Sequence, residues 1–205
     1  ATGSAMVFAD NLYMYEESPN APLTESTPLQ PATRKGVVRA RIAEMVLQAN
    51  WDGQVKTTIA RASDFFGPGV DNAMLGNRFF PQLIAGKTVQ WFGNPDMPHT
   101  FTYVPDFGEA LVELGVDGQG WGEVWHVPSS VTCTAREAAN ATAALTKQAV
   151  KLKGGGRARL SIVGIFLPQA KEMIEMLPHF ERPYNVDSSK WHSRMHTRAT
   201  PWDEA

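Results

Sequence analysis

The chain has 205 residues, 43% hydrophobic and 20% charged, with a net charge of −2 and a pI near 6.2, a composition that suits a globular protein with one sizeable core. That balance gives no electrostatic footprint for nucleic acid or a membrane surface, and no apolar run approaches the ~18–20 residues of a spanning helix. The single cysteine, Cys133, precludes an internal disulfide and favours a reducing, cytoplasmic compartment.

In chain order, residues 5–10 read as a buried strand. Asn11, Tyr13 and Tyr15 follow in alternation, so in extended backbone they face one way. Residues 16–33 read as a loop punctuated by Pro19, Pro22, Pro28 and Pro31. Residues 34–50 read as a helix with Val38, Ile42, Met45, Val46 and Ala49 on its apolar face. Lys35 and Arg39, four positions apart, share one stripe of that helix. After the Asp52-Gly53 turn, residues 55–60 form a short β-branched strand. A strand–helix–strand unit of this kind is expected to be parallel. Open α/β sheets take ligands at the carboxyl ends of such strands.

Residues 73–86 suit a helix, with Pro81 marking a kink or an early end. Val89–Phe92 reads as a strand, and residues 99–104 lead into a helix over 107–114 with Asp106 as its N-cap. Gly118-x-Gly120-x-Gly122 follows a helix and precedes a strand over 123–127, which makes it an αβ connection rather than a phosphate loop. Thr134, with Glu137 three residues on, opens a further helix through a capping box. Gly154-Gly155-Gly156 reads as a flexible turn, 157–163 as a strand, 164–177 as an apolar helix and 180–190 as a surface-hugging tail. His192 and His196 lie one turn apart without a Cys/His cluster, so no metal site is expected. No G-x-S-x-G elbow marks a serine hydrolase.

Four stretches together resemble the NAD(P)-dependent epimerase/dehydratase family of extended short-chain dehydrogenase/reductases. Val7-Phe8-Ala9-Asp10-Asn11-Leu12-Tyr13-Met14-Tyr15 is similar to its V-F-x-S-S-x-x-V-Y-G strand. Pro22-Leu23-Thr24-Glu25-Ser26-Thr27-Pro28-Leu29-Gln30-Pro31 is similar to its P-x-T-E-x-T-P-x-x-P loop. Arg61-Ala62-Ser63-Asp64-Phe65-Phe66-Gly67-Pro68-Gly69 resembles R-P-x-N-x-Y-G-P-G, and His99-Thr100-Phe101-Thr102-Tyr103-Val104-Pro105-Asp106 resembles R-D-F-x-Y-V-x-D.

The resemblance implies an α/β fold: a partial Rossmann-like parallel sheet with a smaller mixed α/β substrate lobe. Residues 1–70 would be the second half of the NAD(P)-binding domain, and 71–205 the substrate lobe and tail. No strand followed by G-x-x-G-x-x-G is found, so the N-terminal half of the fold is expected to be missing. It implies NAD or NADP as cofactor and redox-linked change at an alcohol or carbonyl carbon of a small, sugar-like substrate. The alternative is a non-catalytic NAD(P)-binding sensor or scaffold. A homodimer is left open.

Aligned without gaps, the family's catalytic Ser/Thr falls on Asn11, its Tyr on Lys35 and its Lys on Arg39. A one-gap alternative keeps Lys35 as the family lysine and puts Pro31 where Tyr belongs. Either way the family phenol is missing. Asn11, Tyr13 and Lys35 are the catalytic candidates. Tyr13 could replace the phenol if Lys35 or Arg39 lowers its pKa by proximity. Asp10, Lys35, Arg39, Ala62 and Ser63 would lie along the cofactor, and Tyr15, Asp64 and His99 along the substrate. Leu12 stands where dehydratases of the family carry an acid, so dehydration by their route is not expected. His99 stands where nucleotide-sugar enzymes carry an Arg for the pyrophosphate, and a neutral imidazole cannot make that bidentate contact.

Overall fold

The computed structural model describes residues 3–15, 21–118, 120–147, 149–155 and 174–205. In chain order the elements begin β1 (Met6–Asp10), α1 (Arg34–Trp51), β2 (Thr57–Arg61), β3 (Asp64–Phe66), α2 (Phe80–Ile84), β4 (Val89–Phe92) and β5 (His99–Tyr103). They continue α3 (Val104–Asp117), β6 (Val124–His126), β7 (Val131–Cys133), α4 (Ala135–Thr146), β8 (Leu152–Gly155), α5 (Pro178–Glu181) and α6 (Ser189–Arg194). One sheet is parallel, in the order β1-β2-β6, and β1 and β2 are aligned from Met6 opposite Thr57 to Asp10 opposite Arg61. A second sheet sets β5 between parallel β3 and antiparallel β7, and a third pairs β4 with β8.

The strand–helix–strand unit expected at the start is therefore present. β2 is buried along its whole length, with α1 and α3 both packed against it. β1 is less buried than a core strand: Met6 and Ala9 are exposed, because among the described residues its only strand partner is β2.

α1 begins at the N-cap Thr33, whose hydroxyl accepts the Gly36 N–H at 2.9 Å. Its inner face differs from the expected stripe. Gly36 and Ala43 are buried, whereas Val38 is 55% and Met45 72% exposed. The helix comes too close for bulky side chains on that line, since a Cβ at Gly36 would collide with the Tyr13 carbonyl. Small residues thus set the contact, and the larger apolar ones flank it.

Elsewhere the structure redraws several expected boundaries. The helix expected over 73–86 is confined to Phe80–Ile84, and Pro81 sits in its first turn, where a missing N–H costs nothing. Asp106 is not an N-cap: Tyr103 precedes α3, and the buried Asp106 carboxylate accepts the Thr200 N–H at 2.7 Å and hydroxyl at 2.6 Å. Gly154 and Gly155 belong to β8 rather than to a turn. β3 and β7 are short strands that the sequence reading did not anticipate. The capping box of Thr134 and Glu137 is formed. The strand expected over 157–163 lies outside the described residues, as does most of the helix expected over 164–177.

The C-terminal segment is core rather than surface tail. Tyr184 bridges to His99 and Val186 to Leu23. Trp191 is fully buried edge-on to Trp125 at 6.1 Å, in a cluster with Ala60, Ala110 and Leu114. A second cluster holds Phe66, Phe79, Trp91 and Phe101. No described helix is long and apolar enough to cross a membrane.

Candidate active site at the strand tips

Parallel pairing of β1 and β2 brings their carboxyl ends side by side. The Ala62 N–H donates to the Asp10 carbonyl at 3.2 Å just past the last ladder pair. The backbone then turns. Asn11 Oδ1 accepts the Tyr13 N–H, and the Tyr15 N–H donates to the Leu12 carbonyl, each at 3.2 Å. Asn11, Tyr13 and Tyr15 therefore do not share a face, contrary to the extended reading. Tyr13 and Tyr15 diverge into two separate polar clusters.

Tyr13 leads to the first. Its hydroxyl donates to Asp64 Oδ1 at 2.9 Å, and the other Asp64 oxygen meets His99 Nε2 at 2.7 Å. The His99 ring is stacked between Phe180 and Tyr184, with centroids 4.9 and 4.8 Å away. His179 packs on Tyr13 at 5.3 Å. Burial pushes the Asp64 carboxyl up, but the His99 bond and charge, together with the Tyr13 bond, outweigh it and hold the group below the usual carboxylate value. Burial, reinforced by the Asp64 charge and bond, pushes the Tyr13 phenol well above its ordinary value. Arg39 opposes that shift only weakly, so the condition for Tyr13 to replace the family phenol, a pKa lowered by a neighbouring cation, is not met.

Tyr15 leads to the second. Arg61 Nη1 donates to the Tyr15 oxygen at 2.7 Å and Arg61 Nε to Asp10 Oδ2 at 3.2 Å. With its oxygen accepting from Arg61, Tyr15 gives its proton to His126 Nε2 at 2.8 Å, which leaves His126 Nδ1–H to donate to the Asp187 carbonyl at 3.0 Å. Burial lowers the His126 pKa to about 4 and keeps the ring neutral. Burial likewise pushes the Asp10 carboxyl up, against the opposing charge of Arg61. Asp10 Oδ1 is buried without a hydrogen bond among the described residues, and the Arg39 guanidinium stands 3.6 Å from it.

Two cavities adjoin Tyr13 at the strand tips. One of about 160 Å³ lies between the strand tips, lined by Asp10, Asn11, Tyr13, Ala62, Ser63 and Asp64 among others. The second, of about 510 Å³, is lined by Asn11, Tyr13, Arg34, Lys35, Arg39 and Glu175 with Val38. Asn11 and Tyr13 border both. The structure thus gathers eight of the ten residues expected at the site. The Ala62 and Ser63 amides are already engaged, the latter by Thr102 Oγ1 at 3.2 Å. The other two residues lie elsewhere. Tyr15 is 2% exposed inside the Arg61 cluster, and His99, 3% exposed, stands behind Asp64 rather than at a cavity wall. Sequence reading missed Arg61, His126, His179, Tyr184, Arg34 and Glu175. Arg61 alone had a signal, as the cation opening the stretch that resembles R-P-x-N. Among the described residues no group of three His, Cys, Asp or Glu side chains could hold a metal ion.

The model of the NAD dependent epimerase/dehydratase family matches residues 2–120. The chain belongs to that family. No curated protein matches the sequence. The fold is similar to that of a dTDP-glucose 4,6-dehydratase, DesIV from Streptomyces venezuelae, solved with NAD bound; at 16% identity and a TM-score of 0.71, the likeness covers 95% of this chain and 54% of that one. It is also similar to UDP-glucuronic acid 4-epimerase from Bacillus cereus, solved with UDP-glucuronic acid and NAD, at 15% identity and a TM-score of 0.74, over 95% of this chain and 56% of that one. RMD from Pseudomonas aeruginosa, complexed with NADPH, matches at 14% identity and a TM-score of 0.69, over 95% and 60%. The chain therefore spans little more than half the length of these solved proteins. At such identities the likeness establishes a Rossmann-like α/β fold, and the family is NAD dependent.

Proposed function

We propose that the chain supplies the nicotinamide- and substrate-facing half of an NAD(P)-dependent, epimerase/dehydratase-type oxidoreductase. It would act at an alcohol or carbonyl carbon of a small, sugar-like molecule. The observation that carries this reading is the convergence of Asp10, Asn11, Tyr13, Ala62, Ser63 and Asp64 on one cavity at the carboxyl ends of parallel strands, where such sheets take ligands. Residues 1–70 are then the second half of the NAD(P)-binding domain, and 71–205 the substrate lobe and tail. The outer edge of β1 and the greater length of the structural neighbours support a preceding half that pairs there. The exposed Val38, Met45 and Trp51 of α1 are residues that a homodimer would cover. The lone Cys133 keeps a cytoplasmic location within the reading.

The side chains at the tips suit the nicotinamide end of the cofactor. Its carboxamide and ribose hydroxyls donate hydrogen bonds, and the buried Asp10 Oδ1 is an acceptor without one. Asp10, Asn11, Ala62, Ser63, Arg39 and Lys35 would hold that end, and the cofactor when bound supplies hydride transfer. Lys35 would place positive charge near an oxygen that gains negative charge in reaction. Tyr13 would orient the substrate by hydrogen bonding, since its proton is committed to Asp64 and its raised pKa makes it a poor base at neutral pH. That same feature, with Lys35 at the family Tyr position, favours a second reading: an NAD(P)-binding sensor or scaffold that has lost catalysis.

The test uses the full polypeptide that contains this chain. Titrating NADH and NADPH while following fluorescence quenching measures cofactor binding. Turnover on a panel of carbonyl compounds, compared with Tyr13→Phe, measures catalysis. Binding with turnover sustains the oxidoreductase, binding without turnover selects the sensor, and no quenching by either nucleotide sinks both.

A further inference from the structure

A rigid Asp64–His99 pair backs the cavity between the strand tips. Asp64 opens β3, which runs parallel to β5 with Asp64 opposite Phe101. Just before it, the Ser63 N–H donates to Thr102 Oγ1 at 3.2 Å and the Ser63 hydroxyl to the Thr100 carbonyl at 2.5 Å, so β5 fixes the backbone that carries the carboxylate. The His99 ring lies between Phe180 and Tyr184. The Thr100 N–H donates to the Tyr184 carbonyl and the Tyr184 N–H to the Pro98 carbonyl, each at 2.9 Å, which holds the backbone on either side of that ring. An ionised carboxylate only accepts, so His99 Nε2–H donates to Asp64 Oδ2. A carboxylate offers about four lone-pair sites. Tyr13 and His99 take one on each oxygen, and the Asp64 side chain, 18% exposed, lines the cavity. Its neighbours on that wall suit proton uptake less: Asp10 is engaged by Arg61, and burial keeps the Tyr13 phenol protonated.

We infer that Asp64 is the proton acceptor for a substrate hydroxyl at this cavity, and that His99 is the residue that positions it. The inference rests on the proposed oxidoreductase reading and gives it a direction, from alcohol to carbonyl. The hydroxyl O–H bond breaks and its proton passes to an Asp64 oxygen. The carbinol C–H bond breaks with its electron pair leaving as hydride to an oxidised nicotinamide cofactor, and the C–O bond becomes C=O. A carboxylate held below its usual value is a weak base, but the hydroxyl acidifies as the hydride departs, so a weak base suffices when the two transfers are concerted. The same property leaves little protonated Asp64 to act as an acid in the reverse direction at neutral pH. His99 acts through Asp64, because its charge-assisted bond favours the ionised form against burial. Tyr13 donates to the other oxygen and is left to orient the hydroxyl. The further titratable or charged groups facing the pair are His179 and Tyr184, from the C-terminal segment, and Arg39, from α1 on the Tyr13 side.

The experiment treats the full polypeptide, free of nucleotide, with glycidol, a small epoxy alcohol that esterifies an ionised carboxylate within its reach. Peptide mass spectrometry maps the ester. Asp64 is expected to be esterified at an unchanged rate from about pH 7 to about pH 5, since it stays ionised across that range. In His99→Leu, which removes the donor, burial is less opposed and the Asp64 rate should fall about threefold over the same range as the carboxyl takes up a proton. His99→Gln, which restores a donor, should recover most of the wild-type profile. Turnover is read as oxidation of the alcohols corresponding to the carbonyl panel, with NAD or NADP. Asp64→Asn should lower kcat about 10²–10⁴-fold with KM little changed, the range of a general base, and the acid limb of the His99→Leu profile should move to higher pH. No ester at Asp64 in the wild type overturns the inference, as do a His99→Leu labelling profile matching the wild type and an Asp64→Asn variant oxidising near the wild-type rate. In each of these cases wild-type turnover keeps the oxidoreductase reading, and this inference falls alone. A polypeptide that binds nucleotide but turns nothing over loses that reading and this inference with it.

Discussion

The Tyr13 and Tyr15 clusters begin two residues apart, at the end of the same strand, and end in different physical states. Around Tyr15, Arg61 ties Asp10 to the phenol and His126 passes the chain of bonds to the Asp187 carbonyl, with Arg61 and His126 both fully enclosed. Around Tyr13, Asp64 binds the phenol and His99, yet Tyr13 and Asp64 still form the wall of a cavity. Arg61, Tyr15 and His126 have their polar partners inside the protein and act on stability, and only Asp10, at the edge of that cluster, also reaches the cavity between the strand tips. The second leaves room for a ligand beside a carboxylate and a phenol, so it is the place for recognition. Burial is similar in the two; closure differs.

Breaking the closed cluster should have the largest effect. Arg61→Met strands the Asp10 carboxylate and the Tyr15 oxygen in a buried site, for an expected loss of about 3–5 kcal/mol in urea unfolding. A loss below 1 kcal/mol, the scale of an exposed pair, would show that the cluster is open to solvent after all.

Acid titration probes the same cluster through His126. Its folded-state pKa of about 4 lies below the ordinary 6.5, so the unfolded chain takes up the proton first. The stabilisation is complete above pH 6.5 and is lost as pH falls through about 4, a change of about 3 kcal/mol. Stability measured from pH 7 to 4 should fall in the wild type and lose this component in His126→Gln. Equal slopes would mean that the ring is solvated in the folded state.

Smaller effects are expected on the open side. Asp64→Asn removes the charge that Tyr13 and His99 share, and should cost about 1–3 kcal/mol. It should also bring the Tyr13 phenol down toward its ordinary value, as read by ultraviolet titration, because the Asp64 charge is one of the groups holding it up. Tyr13→Phe should have the smallest effect on stability, about 1 kcal/mol, with its main consequence at the cavity. A Tyr13→Phe loss as large as that of Arg61→Met would erase the distinction between the two clusters.

Much of this site was legible along the chain. The strand–helix–strand unit, the pairing of the Asn11 tip with the Ala62–Asp64 tip and the placement of Lys35 and Arg39 beside them follow from local spacing and from the chirality of parallel connections. The motifs added the family. Asn11 to Tyr15 were misread because period-two alternation holds only while the backbone is extended, and the strand ends at Asp10, where an Asn11-capped turn begins. His99 was misplaced because its neighbours Phe180 and Tyr184 lie about eighty residues on, beyond the reach of any periodicity.

Sequence by itself determined that β1 and β2 run parallel and which residue types gather at their ends, because those outcomes depend on helical period and on the handedness of one connection. Tertiary structure alone decided which polar groups are closed off and which face a cavity. That depends on side chains arriving from the C-terminal segment: Tyr184 against His99, Asp187 against His126 and Glu175 against Lys35. Each such meeting spans more than sixty residues of chain, so local spacing carries no trace of it.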